Sequence, residues 1–222
     1  MGCAMKKLGH IRFSTGAALA LPLLLMVAAC NNDDEVASAP GTEDAQTAGP
    51  VFGGEVDSSP EAIEAAKKQA VEIAGGQGSM RSAPEPRQGE IAQGSVLNEA
   101  MANMNTGETQ ADCASVAEFG NEWATRLPQT FPIYPGASVT EAAGTDSGGC
   151  KLRVVNFVTA VPLNDVMDFY YTVAANNGYS TQRVMSGGED TLGGSMAGSY
   201  FTVVGRERAG GGADFDLMVS GG

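Results

Sequence analysis

Few side chains in this chain of 222 residues can do chemistry, and they fall into small groups. Asp214 and Asp216 stand two apart, so on a strand both carboxylates project from one face. Glu189 and Asp190 are adjacent in a glycine-rich stretch. Paired carboxylates can serve as general acid and base or hold Ca²⁺, but either task needs partly buried partners that the neighbouring residues do not supply. Both pairs therefore read as solvated. The run from Gly188 to Ser195 imitates a phosphate loop in its glycine spacing, yet Gly194 stands where that motif has lysine. With two acids inside it the run is a poor anion cradle, and a mobile loop is expected. Tyr134, Tyr170, Tyr171, Arg153 and Arg183 are the remaining groups that could surround a ligand or substrate.

The elements that would position these groups are preceded by a distinctive amino-terminal segment. Lys6, Lys7 and Arg12 come before an apolar run, Ala17 to Ala29, which closes on Val27-Ala28-Ala29-Cys30. A short basic stretch, an apolar core too brief to span a bilayer and small residues at the end make an export signal. The boundary resembles the lipobox of bacterial lipoproteins, whose signal peptidase cuts before a cysteine bearing a diacylglyceryl group. That resemblance implies residues 1–29 as signal peptide and Cys30 as the acylated first residue of the mature chain, with the lipid bilayer as its partner. Each buried methylene contributes about 0.8 kcal/mol, so two or three acyl chains hold effectively permanently. Asn31 follows the cysteine, where enteric lipoproteins retained at the inner membrane carry Asp, so the outer membrane is the expected address.

Removal of the signal constrains the chemistry further. The single histidine, His10, leaves with it, so neither a Ser-His-Asp system nor an imidazole-ligated zinc can form in the mature chain. No cofactor and no metal site are expected. The precursor carries a net charge of −13, and losing Lys6, Lys7 and Arg12 leaves −16, which repels nucleic-acid phosphates and anionic headgroups. In an exported chain Cys113 and Cys150 are most simply a disulfide. Closing that loop would stabilise the fold by roughly 4 kcal/mol on the chain-entropy account.

Residues 31–112 hold 15 acids against 4 cations and only one aromatic, Phe52. Such a composition buries too little apolar surface to offset the entropy of ordering, so residues 30–112 are expected to be a lipid-anchored, disordered acidic tether. Inside it, Ser59 and Pro60 open a helical pattern that stops at Gly75, with Ile63, Ala66, Ala70 and Ile73 as a thin apolar stripe. The expectation is a marginal helix near residues 60–74 that frays in water, with docking to a partner as the alternative. Val96 to Met104 is a weaker candidate of the same kind.

Residues 113–222 have the pattern of a compact domain. Ser115 to Glu118 forms a capping box, and Val116, Phe119, Trp123 and Leu127 recur at helical spacing. Strands are expected over Ala137 to Ala143, Cys150 to Ala160, Tyr179 to Met185, Tyr200 to Arg206 and Ala213 to Ser220. Leu163 to Asn177 is the strongest helix, stopped by Gly178. The expected fold is α+β: an antiparallel sheet of about 4–5 strands with a main helix across one face, behind the disordered tether.

Phe131-Pro-Ile-Tyr-Pro-Gly-Ala137, then Phe157-Val-Thr159, then Phe169-Tyr170 and Gly178-Tyr179, resembles a small α+β domain found in many bacterial lipoproteins and exported proteins. The resemblance spans roughly residues 128–220, implies a fold and an envelope setting, and carries no catalytic residues. The functional expectation is a membrane-tethered periplasmic lipoprotein acting as a non-catalytic binding or adaptor module toward an envelope protein, through a sheet face or edge. The alternative is a small-ligand receptor or histidine-free enzyme built on Tyr134, Tyr170, Tyr171, Arg153 and Arg183.

Overall fold

The computed structural model describes residues 50–104 and 112–221, all within one compact unit that begins at Thr47. Cys30, the signal segment 1–29 and the first part of the expected tether lie outside the described residues. In chain order the elements are β1 (Val51–Phe52), α1 (Pro60–Ile73), β2 (Arg87–Gln88), α2 (Val96–Met104), β3 (Glu118–Phe119), β4 (Ser138–Thr145) and β5 (Leu152–Thr159). They are followed by α3 (Leu163–Asn176), β6 (Ser180–Ser186), β7 (Glu189–Met196), β8 (Ser199–Glu207) and β9 (Ala213–Ser220).

Six long strands pair antiparallel in the order β4-β5-β9-β8-β7-β6. Alternation decides which side chains go inward. Val155, Phe157, Val203, Phe215 and Leu217 share the inner face, where Phe157 stacks on Phe215 at 5.3 Å. Helix α3 lies on this face and buries Val166, Met167, Phe169, Tyr170 and Val173. Phe131 stacks on Phe201 at 4.5 Å, and Tyr179 meets both rings edge-on.

The motifs behind the family resemblance are structural devices. Pro135-Gly136 makes a tight turn in which the Ala137 N–H donates to the Tyr134 carbonyl at 3.2 Å; Gly136 has φ +69°, a conformation that favours glycine. That turn drives Tyr134 into the core edge-on to Phe169. At the end of α3 the Tyr179 N–H donates to the Ala174 carbonyl at 3.0 Å and the Gly178 N–H to Ala175 at 3.2 Å, closing the helix and delivering Tyr179 to the aromatic cluster.

The expected α+β fold is corrected in three respects. First, the sheet has nine strands and is mixed, because β1 and β3 pair with the outer edge of β4 and β2 pairs with β6, β1 and β2 running parallel to their partners. Second, Gly188 to Ser195 is no loop: Glu189–Met196 is β7, with most of its residues buried. Its glycines mislead a propensity reading because they answer a packing need. A Cβ on Gly193 would come within 2.5 Å of Leu97 of α2, and one on Gly194 would strike the Ser180 carbonyl. Third, the helix expected from Ser115 is broken into two 3₁₀ turns, Ala114–Val116 and Asn121–Arg126, around β3. Gly120 is fully extended there, which interrupts the apolar repeat and leaves Phe119 77% exposed while Trp123 is buried.

Nor is the segment before Cys113 a free tether over residues 50–104. Starting at the β4 edge, it crosses beside α3 as α1, closes the β6 edge with β2 and ends as α2 on the outer sheet face. Ala66, Ala70 and Ala74 are buried, and small side chains let α1 approach closely where bulky ones are absent. Ser59 caps α1 by accepting from the Ala62 N–H at 3.2 Å, and the Asn176 amide donates to the Ala74 carbonyl at 2.9 Å. Further along, the Arg81 N–H donates to Thr172 at 2.9 Å and the Ala83 N–H to Asp168 at 2.7 Å. Such backbone contacts hold a chain with almost no aromatic residues of its own, which is why composition concealed them. Helix α2 buries Leu97, Ala100 and Met104 over β6, β7 and β8, so the sheet carries helices on both faces rather than one.

Asp168 provides a pH test of this wrap. Partial burial, the dominant cause, raises its carboxyl pKa above the ordinary value, and the Ala83 N–H and Arg183 only partly oppose this. The folded state therefore binds the proton more readily than the unfolded state, and the resulting stability is present at acid pH and lost as pH rises through the folded pKa. Asp168→Asn keeps the acceptor for Ala83 and removes the charge. It is expected to raise the urea midpoint at pH 7 and to lose that advantage near pH 4. A variant less stable than the parent at pH 7 would contradict the assignment.

Candidate functional site

Among the described residues, α2 covers the outer face of the sheet over β6, β7 and β8 and reaches β9, and the face also carries a ladder of polar side chains. Arg206 of β8 lies directly opposite Asp214 of β9, and it stands next to the Gly205–Asp190 pair, within reach of Glu189 of β7. Its guanidinium Nε and Nη2 are both 2.8 Å from Glu189 Oε1, and Nη1 donates to Asp216 Oδ2 at 2.8 Å. The Asn156 amide of β5 donates to the other oxygen of Asp216, and Glu141 of β4 lies exposed across from Asn156. Arg208 sits 3.4 Å from Asp214 at the end of the row. The hydrogen bonds to Asp216 first, then Glu189, push the Arg206 pKa above its ordinary value.

Exposure decides what this ladder can contribute. Arg206, Glu189 and Asp216 are 40%, 48% and 27% exposed, and ion pairs of that kind stabilise a fold by only about 0–1 kcal/mol. Their fixed geometry on a rigid sheet instead presents alternating charges at set spacing, which favours orientation and selectivity in an encounter.

Asp214 and Asp216 do share a face, as their spacing implied, and stand half-exposed in ion pairs. Glu189 and Asp190 part company. Consecutive strand residues point to opposite faces, so Glu189 joins the outer ladder while Asp190 turns inward. There Asp190 Oδ2 is 2.6 Å from Arg183 Nη2 and its Oδ1 accepts from Nε at 2.9 Å, both side chains being almost fully buried. Arg183 also donates to Asn164 of α3 at 2.7 Å and to the Pro84 carbonyl at 3.3 Å. This cluster ties β6, β7, α3 and the stretch before β2 together.

The other groups of the alternative reading are dispersed. Tyr134 and Tyr170 are buried, Tyr170 donates to the Pro132 carbonyl at 3.0 Å, and burial pushes both hydroxyl pKa values well above the ordinary one. Arg153 lies 4.8 Å from the Trp123 ring centre with Arg126 at 4.7 Å, and both guanidinium groups pair with Asp146. Tyr171 packs against the core from a half-buried position. Tyr134 and Tyr170 both pack against Phe169 in the core, whereas Arg153 belongs to the cluster around Trp123 and Arg183 to the buried pair with Asp190. No group of three or more histidine, cysteine or acidic side chains suited to a metal occurs among the described residues. Cys113 and Cys150 are bonded, their Cα atoms 5.6 Å apart, and fasten the first 3₁₀ turn to the start of β5.

Arg206 and Asn156, the centre of the ladder, were not singled out by sequence reasoning. The signal was the nearness of Arg206 to Glu189, which becomes visible only once β7 is recognised as a strand. No family model, curated protein or solved structure matches this chain.

Proposed function

We propose that the chain is a lipid-anchored envelope protein, acylated at Cys30, whose domain is a non-catalytic binding or adaptor module facing the periplasm from the outer membrane. The observation that carries the binding role is the ladder Glu189, Arg206, Asp216 and Asn156, a charged array too exposed to matter much for stability. The anchor reading is supported by the Val27-Ala28-Ala29-Cys30 boundary. Both outer edges of the antiparallel sheet already carry strand partners at β1, β3 and β2, which favours the face over an edge as the contact surface.

Cross-linking in intact cells tests the reading. The full chain should give a discrete cross-linked species with an envelope protein, and Arg206→Glu, which places a fourth carboxylate beside Glu189, Asp214 and Asp216, should reduce its yield at least tenfold while the domain still unfolds cooperatively. Equal yields from parent and variant would remove the ladder from the contact. A small molecule that co-purifies and is lost with Arg206→Glu would favour the receptor alternative.

A further inference from the structure

Away from the ladder, a groove of about 680 Å³ runs between β1, the end of α1 and the extended crossing that leads to β4. Pro50, Pro128, Pro132 and Pro135 line it together with Ile73 and Ile133, and no charged side chain does. Val51 and Ile73, at its rim, are 54% and 37% exposed.

Its polar side chains are the uncharged Gln69, Thr125, Gln129 and Tyr134, and its backbone is short of donors. Proline has no N–H, so four positions offer no donor that an apolar occupant would leave unsatisfied. Three of its carbonyls are engaged as well: Pro132 accepts from the Tyr170 hydroxyl at 3.0 Å, Pro128 from the Phe131 N–H at 2.9 Å, and Tyr134 from the Ala137 N–H at 3.2 Å. A peptide docking by strand addition requires free backbone donors and acceptors, whereas a hydrocarbon chain requires none. The chain carrying Cys30 joins the domain at Pro50, on the groove itself. Even fully extended, the stretch between them spans at most about 70 Å.

We propose that this groove takes an acyl chain of a zwitterionic phospholipid from the bilayer that holds the anchor. Its lining is neutral and the protein is strongly acidic, at −13 for the precursor, which disfavours an anionic headgroup at its mouth. The anchor reading enters only as the source of the lipid; the groove's chemistry stands without it.

Diheptanoyl phosphatidylcholine below its micelle concentration is the probe, titrated into the full mature chain carrying Cys30→Ser while methyl resonances are followed. Saturable shifts are expected at Val51, Ile73, Leu127 and Ile133, with Val154 and Met218 on the outer sheet face unmoved. Ile73→Glu, at a partly exposed position, should keep the thermal midpoint and weaken binding at least tenfold. An absence of shifts, equal shifts on the outer face, or unchanged affinity in Ile73→Glu would overturn the proposal. Shifts given by a proline-rich apolar peptide and not by the lipid would overturn it in favour of a protein partner. Because this protein lacks the lipidated cysteine, a negative result counts against the groove alone, and loss of the anchor is read separately.

Discussion

A chain beginning at Ala111 is expected to show no cooperative unfolding transition, although it retains the disulfide, α3 and all six long strands. Cutting there removes α2, and with it the cover that Leu97 and Met104 supply to the outer sheet face; burial of such side chains contributes about 1.5–3 kcal/mol each. Loss of α1 also uncovers the surface on which Ala66, Ala70 and Ala74 pack, and both sheet edges lose their short partners. A domain's total stability is about 5–15 kcal/mol, so these losses together are of the same size as the whole. Urea titration followed by Trp123 emission and by far-ultraviolet circular dichroism checks it. A sharp transition at nearly the parent's urea midpoint would make residues 50–104 an accessory.

Replacing Asp190 with Ala is expected to cost about 3–5 kcal/mol, or roughly 10 °C in the thermal midpoint. The variant leaves the Arg183 guanidinium buried with only Asn164 and the Pro84 carbonyl as acceptors, and an unpaired buried charge is far more costly than the pair is stabilising. Joint replacement, Arg183→Met with Asp190→Leu, should recover most of the loss because it removes both charges from the interior. A cost below about 1 kcal/mol for Asp190→Ala would show that water reaches the pair.

What could be read from residue types alone follows a physical division. Helix α3 and strands β5, β8 and β9 were legible because bulky apolar residues recur there with period 3.6 or 2, and the structure places them within a residue or two of the expected bounds. The disulfide was legible because, once the amino-terminal segment reads as an export signal, Cys113 and Cys150 have few alternatives to pairing. Strand β7 was hidden because Gly193 and Gly194 record what sits above and beside them, and that information is held by Leu97 and Ser180 elsewhere in the chain. Residues 50–104 were hidden for a related reason. Their packing uses alanines and backbone N–H groups, which contribute little to any hydrophobic pattern, while their partners Asp168, Thr172, Asn176 and Arg183 look like ordinary surface polar residues. The opposite error arose at Val116, Phe119 and Trp123, whose spacing suited a helix that Gly120 does not allow. The polar ladder shared the fate of β7: its acids could be noted one by one, but the arginine joining them needed the register.

The most direct test of the proposed function is at Cys30. Cells growing on radioactive palmitate and expressing the parent chain should yield a labelled protein in the outer-membrane fraction, and Cys30→Ser should yield an unlabelled protein that is recovered with the soluble periplasm. Label and membrane association that persist in Cys30→Ser, or a parent chain that carries no label, would contradict a lipid-anchored envelope module.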